Sequence, residues 1–216
     1  VRFTRAGRLN FHGARTGIRA ELRHSENNGI ANLKYSSHAK PLTARGNRLI
    51  AAGATALAMP CNTAHFWYAD LVTGCSVPFI NIVDTCIAEL APLATAGASV
   101  GIIATRATLV ARIFDTPLIQ AGYAPLLPDD EVMDALVLPG IEHVKAGQTL
   151  QGGQLISQAV QTLLHQGASA VVLACTETPL ALDAVQSPLR AKCVDSTAAL
   201  ARACVVWWQA NKVTSV

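Results

Sequence analysis

Two stretches of this chain are built alike. Gly53-Ala-Thr-Ala-Leu-Ala-Met-Pro-Cys61 and Gly167-Ala-Ser-Ala-Val-Val-Leu-Ala-Cys175 each run from a glycine through an apolar segment to a cysteine, at an offset of 114 residues. A second pair follows in the same order: VDTCIAELA at 83–91 resembles VDSTAALAR at 194–202, at an offset of 111. Matched segments in one order at nearly one offset predict a duplicated unit, and this restricts the fold more than any other feature.

The segments around the repeat set its architecture. Short apolar runs at 53–60, 77–82, 99–104, 123–128 and 167–174 read as strands, and amphipathic runs at 84–97, 106–122 and 149–167 read as helices. Gly97, Gly122 and Gly167 fit the left-handed residue that closes a helix. Continuous apolar strands alternating with helices predict mainly parallel sheets covered on both faces. The expected fold is therefore α/β, with two pseudo-symmetric halves and the active site in the cleft between them. The first half takes in 49–96 with 194–212 and carries Cys61; the second takes in 97–193 and carries Cys175. Ligands in such sheets sit at the carboxyl ends of the strands, so the residues just after each strand are where to look for chemistry.

Residues 1–48 do not follow this pattern. They hold ten of the 17 Lys and Arg residues and only two acids, Glu21 and Glu26, a balance of +8 against −5 for the rest of the chain. Nothing in this segment reads as a buried parallel strand. The counterpart of the opening strand 99–104 would fall before Val1, so the first strand of the first half is expected to be missing or altered. Either the numbering starts inside a longer protein or the region has been replaced. A basic arm raises nucleic acid or targeting, but it has few aromatics to stack on bases, no nucleic-acid motif and no apolar signal core. A solvated terminal segment is the expectation, with no nucleic-acid partner.

Composition narrows the classes further. Apolar residues make up 51% of the chain and charged residues 14%, against about 25% charged in ordinary domains, which excludes disorder. No apolar run reaches the roughly 18 residues of a membrane span, so no membrane partner is expected. Six cysteines without a CxxC pair point to a reducing compartment, read as cytoplasmic, and not to a disulfide framework. Cys61 and His65 stand i, i+4, but no second ligand pair accompanies them, so no metal is expected.

Each repeated segment ends in a cysteine followed by small polar residues: Cys61-Asn62-Thr63-Ala64-His65 and Cys175-Thr176-Glu177-Thr178-Pro179. A thiol between a strand end and a helix start meets backbone N–H groups and the positive helix end, which lower its pKa. The same amides, with Asn and Thr side chains, can hold a carboxylate. A two-fold relation between the halves would aim the thiols at each other. Opposed acid/base groups on two faces of one carbon are what stereoinversion of a carbon acid requires. Cys75, Cys86, Cys193 and Cys204 lack these flanks and read as buried core thiols.

The strings MPCNTAH (59–65) and ACTETPL (174–180) resemble the two signature segments of the aspartate/glutamate racemase superfamily, closest to its aspartate or broad-range amino-acid branch. The resemblance covers about residues 49–210, with GIIATRATL (101–109), EHVKAG (142–147) and VDSTAALARA (194–203). It implies a cofactor-independent racemase (no pyridoxal phosphate) acting on a small amino acid, aspartate or glutamate favoured, and a homodimer. Carried over by residue, Cys61 and Cys175 match the catalytic pair, and Asn62, Thr63, Thr176 and Glu177 match pocket residues. Thr105 matches a carboxylate-binding position with Thr108 nearby in the same motif, and Lys145 matches a lysine for the substrate's side-chain carboxylate. His65 is open between a structural role and proton transfer; Arg106 reads as a solvated residue at a helix start.

The chain also departs from the family pattern. Its Gly-rich opening strand has no counterpart in 1–48, and NNGIANLK (27–34) offers at best Lys34 where relatives place an arginine. Two alternatives follow: a truncated or degraded racemase-like protein that binds a small acid without turnover, and a related cysteine-dependent isomerase.

Overall fold

The computed structural model describes residues 39–211 and, ahead of them, the backbone of two short antiparallel strands, β1 (Arg2–Phe3) and β2 (Leu9–Asn10). The expectations for the missing first strand and for Lys34 lie outside the described residues. From residue 39 the elements are α1 (Ala39–Ala51), β3 (Leu57–Ala58), a 3-10 turn (Thr63–Trp67), α2 (Tyr68–Thr73), β4 (Phe79–Ile80) and α3 (Ile82–Ala88). Then come β5 (Ser99–Ala104), α4 (Arg106–Val110), α5 (Asp115–Gln120), β6 (Ala124–Leu126) and α6 (Asp130–Val132), which continues through a π turn (Met133–Val137) into α7 (Leu138–Lys145). The chain continues with α8 (Thr149–His165), β7 (Ala170–Ala174), α9 (Glu177–Ala184), a 3-10 turn (Pro188–Lys192), β8 (Cys193–Asp195) and α10 (Ser196–Asn211).

The fold is α/β with parallel sheets. One has four strands in the order β6-β5-β7-β8, and a second pairs β3 with β4. Side chains alternate along each strand, which explains why β5 and β7 are apolar throughout. Val100, Ile102, Val172 and Ala174 join Phe114, Leu118 and Leu200 on one face of the sheet. Ile103, Val171 and Leu173 join Ile156, Leu163 and Leu182 on the other. Gly101 lies where α8 comes nearest, since a Cβ there would stand 3.1 Å from Leu163 and Val171. Met59, Ala64, Trp67 and Leu71 form a third cluster under the first cysteine loop.

The duplication is present in the backbone. Leu57 pairs with Phe79 and Ala58 with Ile80, as Val171 pairs with Cys193 and Val172 with Val194. All four residues of the first pairing lie 114 positions before their counterparts in the second. Gly53 and Gly167, at φ 88° and 101°, both close a helix ahead of the repeated strand. Each sits in a six-residue closing loop, with Ala54 N–H donating to Leu49 O and Ala168 N–H to Leu163 O. A left-handed residue is needed there, and glycine adopts it without steric penalty.

Three expectations are corrected. The offset of 111 gives way to 114, so Asp195 corresponds to Asn81 and not to Asp84. Both residues cap helices: Asn81 Oδ1 accepts from Val83 N–H, and Asp195 Oδ1 from Thr197 and Ala198 N–H. The helix expected over 84–97 spans Ile82–Ala88, because Pro92 cannot continue the hydrogen-bond ladder; Gly97 (φ 83°) serves a later turn. The helix expected over 106–122 is two helices. Arg112 turns left-handed at φ 53° between them, its guanidinium 3.1 Å from Asp115.

Candidate functional site

Every cysteine-loop residue singled out above follows the carboxyl end of a parallel strand. At the end of β3, Pro60 bends the chain so that Cys61 N–H donates to Met59 O at 2.9 Å. The turn that follows aims the N–H groups of Thr63 and Ala64 at the Cys61 sulfur. At the end of β7, Cys175 is buried at 6% exposure, and its thiol donates to Glu177 Oε2 at 3.1 Å. The Thr176 hydroxyl donates to the same oxygen at 2.8 Å.

The electrostatics correct one expectation. The loop amides do lower both thiols, as the helix-start argument requires, but burial outweighs them and both pKa values are raised. The Glu177 carboxylate raises both further, and Lys145, in the last turn of α7, lowers Cys175. Both cysteines are therefore neutral thiols at pH 7. Glu177 is held below its ordinary range even though burial pushes it up, because Thr176 and Cys175 donate to it and Lys145 lies near. One carboxylate acting on both thiols joins the two loops into one electrostatic site.

Hydrogen bonds join the remaining residues. Thr63 Oγ1 lies 2.7 Å from Thr108 Oγ1 and 3.4 Å from Thr105 Oγ1, and the last two are 3.1 Å apart. Thr108 is 1% exposed, and its hydroxyl supports the other two. Thr105 is half-buried at the start of α4 and is the accessible member. Asn62 Nδ2 donates to Ser196 Oγ at 3.0 Å, and that hydroxyl donates to Leu173 O at 2.9 Å. The chain of donors fixes the amide, leaving buried Asn62 Oδ1 without a donor among the described residues.

His65 and Arg106 are both engaged by neighbouring groups. His65 is 6% exposed, with Nδ1 2.8 Å from Cys61 O and Nε2 accepting from Ile82 N–H at 3.2 Å. Burial lowers its pKa to about 4. Arg106 is partly exposed and pairs with Asp130 and Asp134 at 2.7 and 2.6 Å. Cys86, Cys193 and Cys204 are buried, while Cys75 is half-buried with its thiol donating to Val77 O. Ser196 is the site residue that the sequence reading left without a role. Its place in VDS, after a strand equivalent to β4, was the available signal. Among the described residues, no three His, Cys, Asp or Glu side chains are grouped to hold a metal ion, and no helix is long and apolar enough to cross a membrane.

The Asp/Glu/hydantoin racemase family model matches residues 25–204. The chain belongs to this family. It is 29% identical over 155 residues to the broad specificity amino-acid racemase RacX of Bacillus subtilis, an alignment covering 71% of this chain and 64% of RacX. It is also 31% identical over 142 residues to an uncharacterised Pectobacterium carotovorum protein, covering 66% of this chain and 93% of that one. Among solved structures, it matches PH1733, an aspartate racemase homologue from Pyrococcus horikoshii, with a TM-score of 0.68 and 24% identity. That match covers 79% of this chain and 74% of PH1733.

Proposed function

We propose that this protein racemises an amino acid, aspartate or glutamate favoured, by proton transfer between Cys61 and Cys175 without a cofactor. The observation that carries this reading is the pair of equivalent strand-end thiols, 114 residues apart, both under the field of Glu177. Family membership and the similarity to RacX support amino-acid racemisation in general.

The chemistry assigns a task to each group. Thr105, backed by Thr63 and Thr108, donates to the substrate carboxylate and stabilises charge that grows there as the α-proton leaves. Asn62 Oδ1, a buried acceptor whose amide is held by Ser196, receives the α-ammonium group. Lys145 meets a side-chain carboxylate, and Thr176 orients Glu177. Burial keeps both thiols neutral and Glu177 adds to it; the substrate's ammonium and Lys145 offset that added charge. One thiol first gives its proton to solvent; as a thiolate it then takes the α-proton while the other cysteine delivers its thiol proton to the opposite face. Reversal exchanges the two roles.

Incubation with L-aspartate, L-glutamate and a panel of other amino acids in D2O tests the proposal, read by chiral chromatography and NMR at Cα. Racemisation with solvent deuterium at Cα is expected. Cys61→Ser and Cys175→Ser should each abolish it, retaining exchange from one enantiomer at most. The burial that keeps both thiols neutral favours a second reading, binding of a small acid without turnover. Ligand-induced thermal stabilisation with no deuterium incorporation would select that reading and sink the first.

A further inference from the structure

The same carbonyl is anchored in both cysteine loops, but by different chemistry. Cys175 O receives two hydrogen bonds from Thr178, from its backbone N–H at 3.2 Å and from its hydroxyl at 2.9 Å. Cys61 O receives one from the ring of His65. The tautomer follows from the partners. Ile82 N–H can only donate, so Nε2 carries the lone pair and the proton sits on Nδ1, which donates to Cys61 O. The position in the second loop that corresponds to His65 is Pro179, which has no side-chain donor.

His65 also ties Cys61 to an element outside its own loop. Ile82 opens α3, directly after the Asn81 cap at the end of β4. The imidazole stacks on Tyr68, with ring centroids 5.7 Å apart at 11°, and the Tyr68 hydroxyl donates to Phe79 O at 3.2 Å. Two rings of one helical turn thus hold both the last stretch of β4 and the first N–H of α3 against the Cys61 backbone. A neutral ring with one donor and one acceptor can do this. A protonated ring would present a second N–H to Ile82 N–H.

We infer that His65 is the positioning residue of the first thiol alone, fixing the Cys61 backbone to the β4–α3 junction, while Thr178 anchors the carbonyl of the second thiol within its own loop. The inference rests on the two-thiol reading above for its catalytic consequence, but not for its structural one. His65 does not carry the transferred proton, because both ring nitrogens are engaged with backbone groups.

The variants separate the two bonds. His65→Asn places an amide donor near Nδ1 and keeps the bond to Cys61 O. His65→Gln extends to the Nε2 position and keeps the acceptor for Ile82 N–H. Misplacing a reacting group by about 1 Å can cost as much as 100-fold. His65→Gln is therefore expected to slow α-deuterium exchange from the enantiomer served by Cys61 by about tenfold or more, with exchange from the other within about threefold of wild type. His65→Asn is expected to restore the lost exchange. Equal slowing of both enantiomers by either variant, or no change in either, would overturn the inference. Iodoacetamide labelling followed by mass spectrometry gives a readout independent of turnover. The ratio of Cys61 to Cys175 labelling should change in His65→Gln and return toward wild type in His65→Asn; an unchanged ratio across all three proteins refutes the inference. If wild-type protein exchanges no α-proton at all, the racemase reading fails and the labelling ratio still decides the role of His65.

Discussion

Replacing Gly153 with alanine sets two effects of opposite sign against each other. In a helix interior, Gly→Ala ordinarily stabilises by about 1 kcal/mol. Gly153 lies inside α8, but a Cβ there would stand 2.4 Å from the backbone oxygen of Ala181 and 2.6 Å from Val185 Cγ1. The oxygen belongs to the α9 backbone and cannot rotate away, so α8 and α9 must separate. Overpacking of this kind costs about 1–3 kcal/mol, and a clash against backbone belongs at the upper end. The net expectation is a loss of about 2 kcal/mol, or a Tm lowered by about 4–8 °C for a chain of this size. Gly140→Ala is the internal control. Its Cβ would meet Ile156 Cδ1 at 2.8 Å and Cγ1 at 2.9 Å, side-chain atoms that can shift where a backbone oxygen cannot, so its loss should be smaller than that of Gly153→Ala. Thermal and urea unfolding followed by circular dichroism measure both. If Gly153→Ala is as stable as wild type, or more so, α8 and α9 are not packed through this glycine and the reasoning is wrong.

Other predictions concern the site and its surroundings. Burial holds His65 at about 4, below its ordinary 6.5, so between these values the unfolded chain binds more protons there than the folded one. Stability from this residue is complete above pH 6.5 and is lost as pH falls toward 4, about 3 kcal/mol in all; urea titrations across that range should show the slope, flattened in His65→Asn. Thr108→Val removes the hydroxyl 2.7 Å from Thr63 and should cost about 1 kcal/mol in unfolding free energy, with a raised KM as Thr105 and Thr63 lose their support. Arg106→Ala breaks two exposed ion pairs and should cost less than about 1 kcal/mol, a difference that high salt removes.

The two cysteine loops of the candidate site were legible in the chain before it was folded. The glycine-to-cysteine spans could be read because a left-handed closing residue, an apolar strand and a polar strand end each leave a local mark. The helix over 130–145 left none. Its period is broken by the π turn before Pro139, a residue that offers no N–H to the ladder. The strings VDT and VDS suggested the wrong phase, since Asp195 of VDS is itself a helix cap whereas Asp84 of VDT lies three residues beyond the equivalent cap, Asn81. That equivalence rests on strand register, and register is a property of two strands together.

By itself, the sequence determined the repeated unit, the parallel α/β architecture and the two strand-end thiols, because backbone geometry and side-chain periodicity are local. Tertiary structure alone decided the rest. The bond from Asn62 to Ser196 spans 134 residues, and no local pattern encodes it. The ionisation of the thiols depends on competition between loop amides, readable from position, and burial, which exists only once the sheets and helices are packed. Burial wins, and a carboxylate shared across the two loops adds to it. Positions along the chain picked out the two candidate thiols; the packed surroundings set their protonation state.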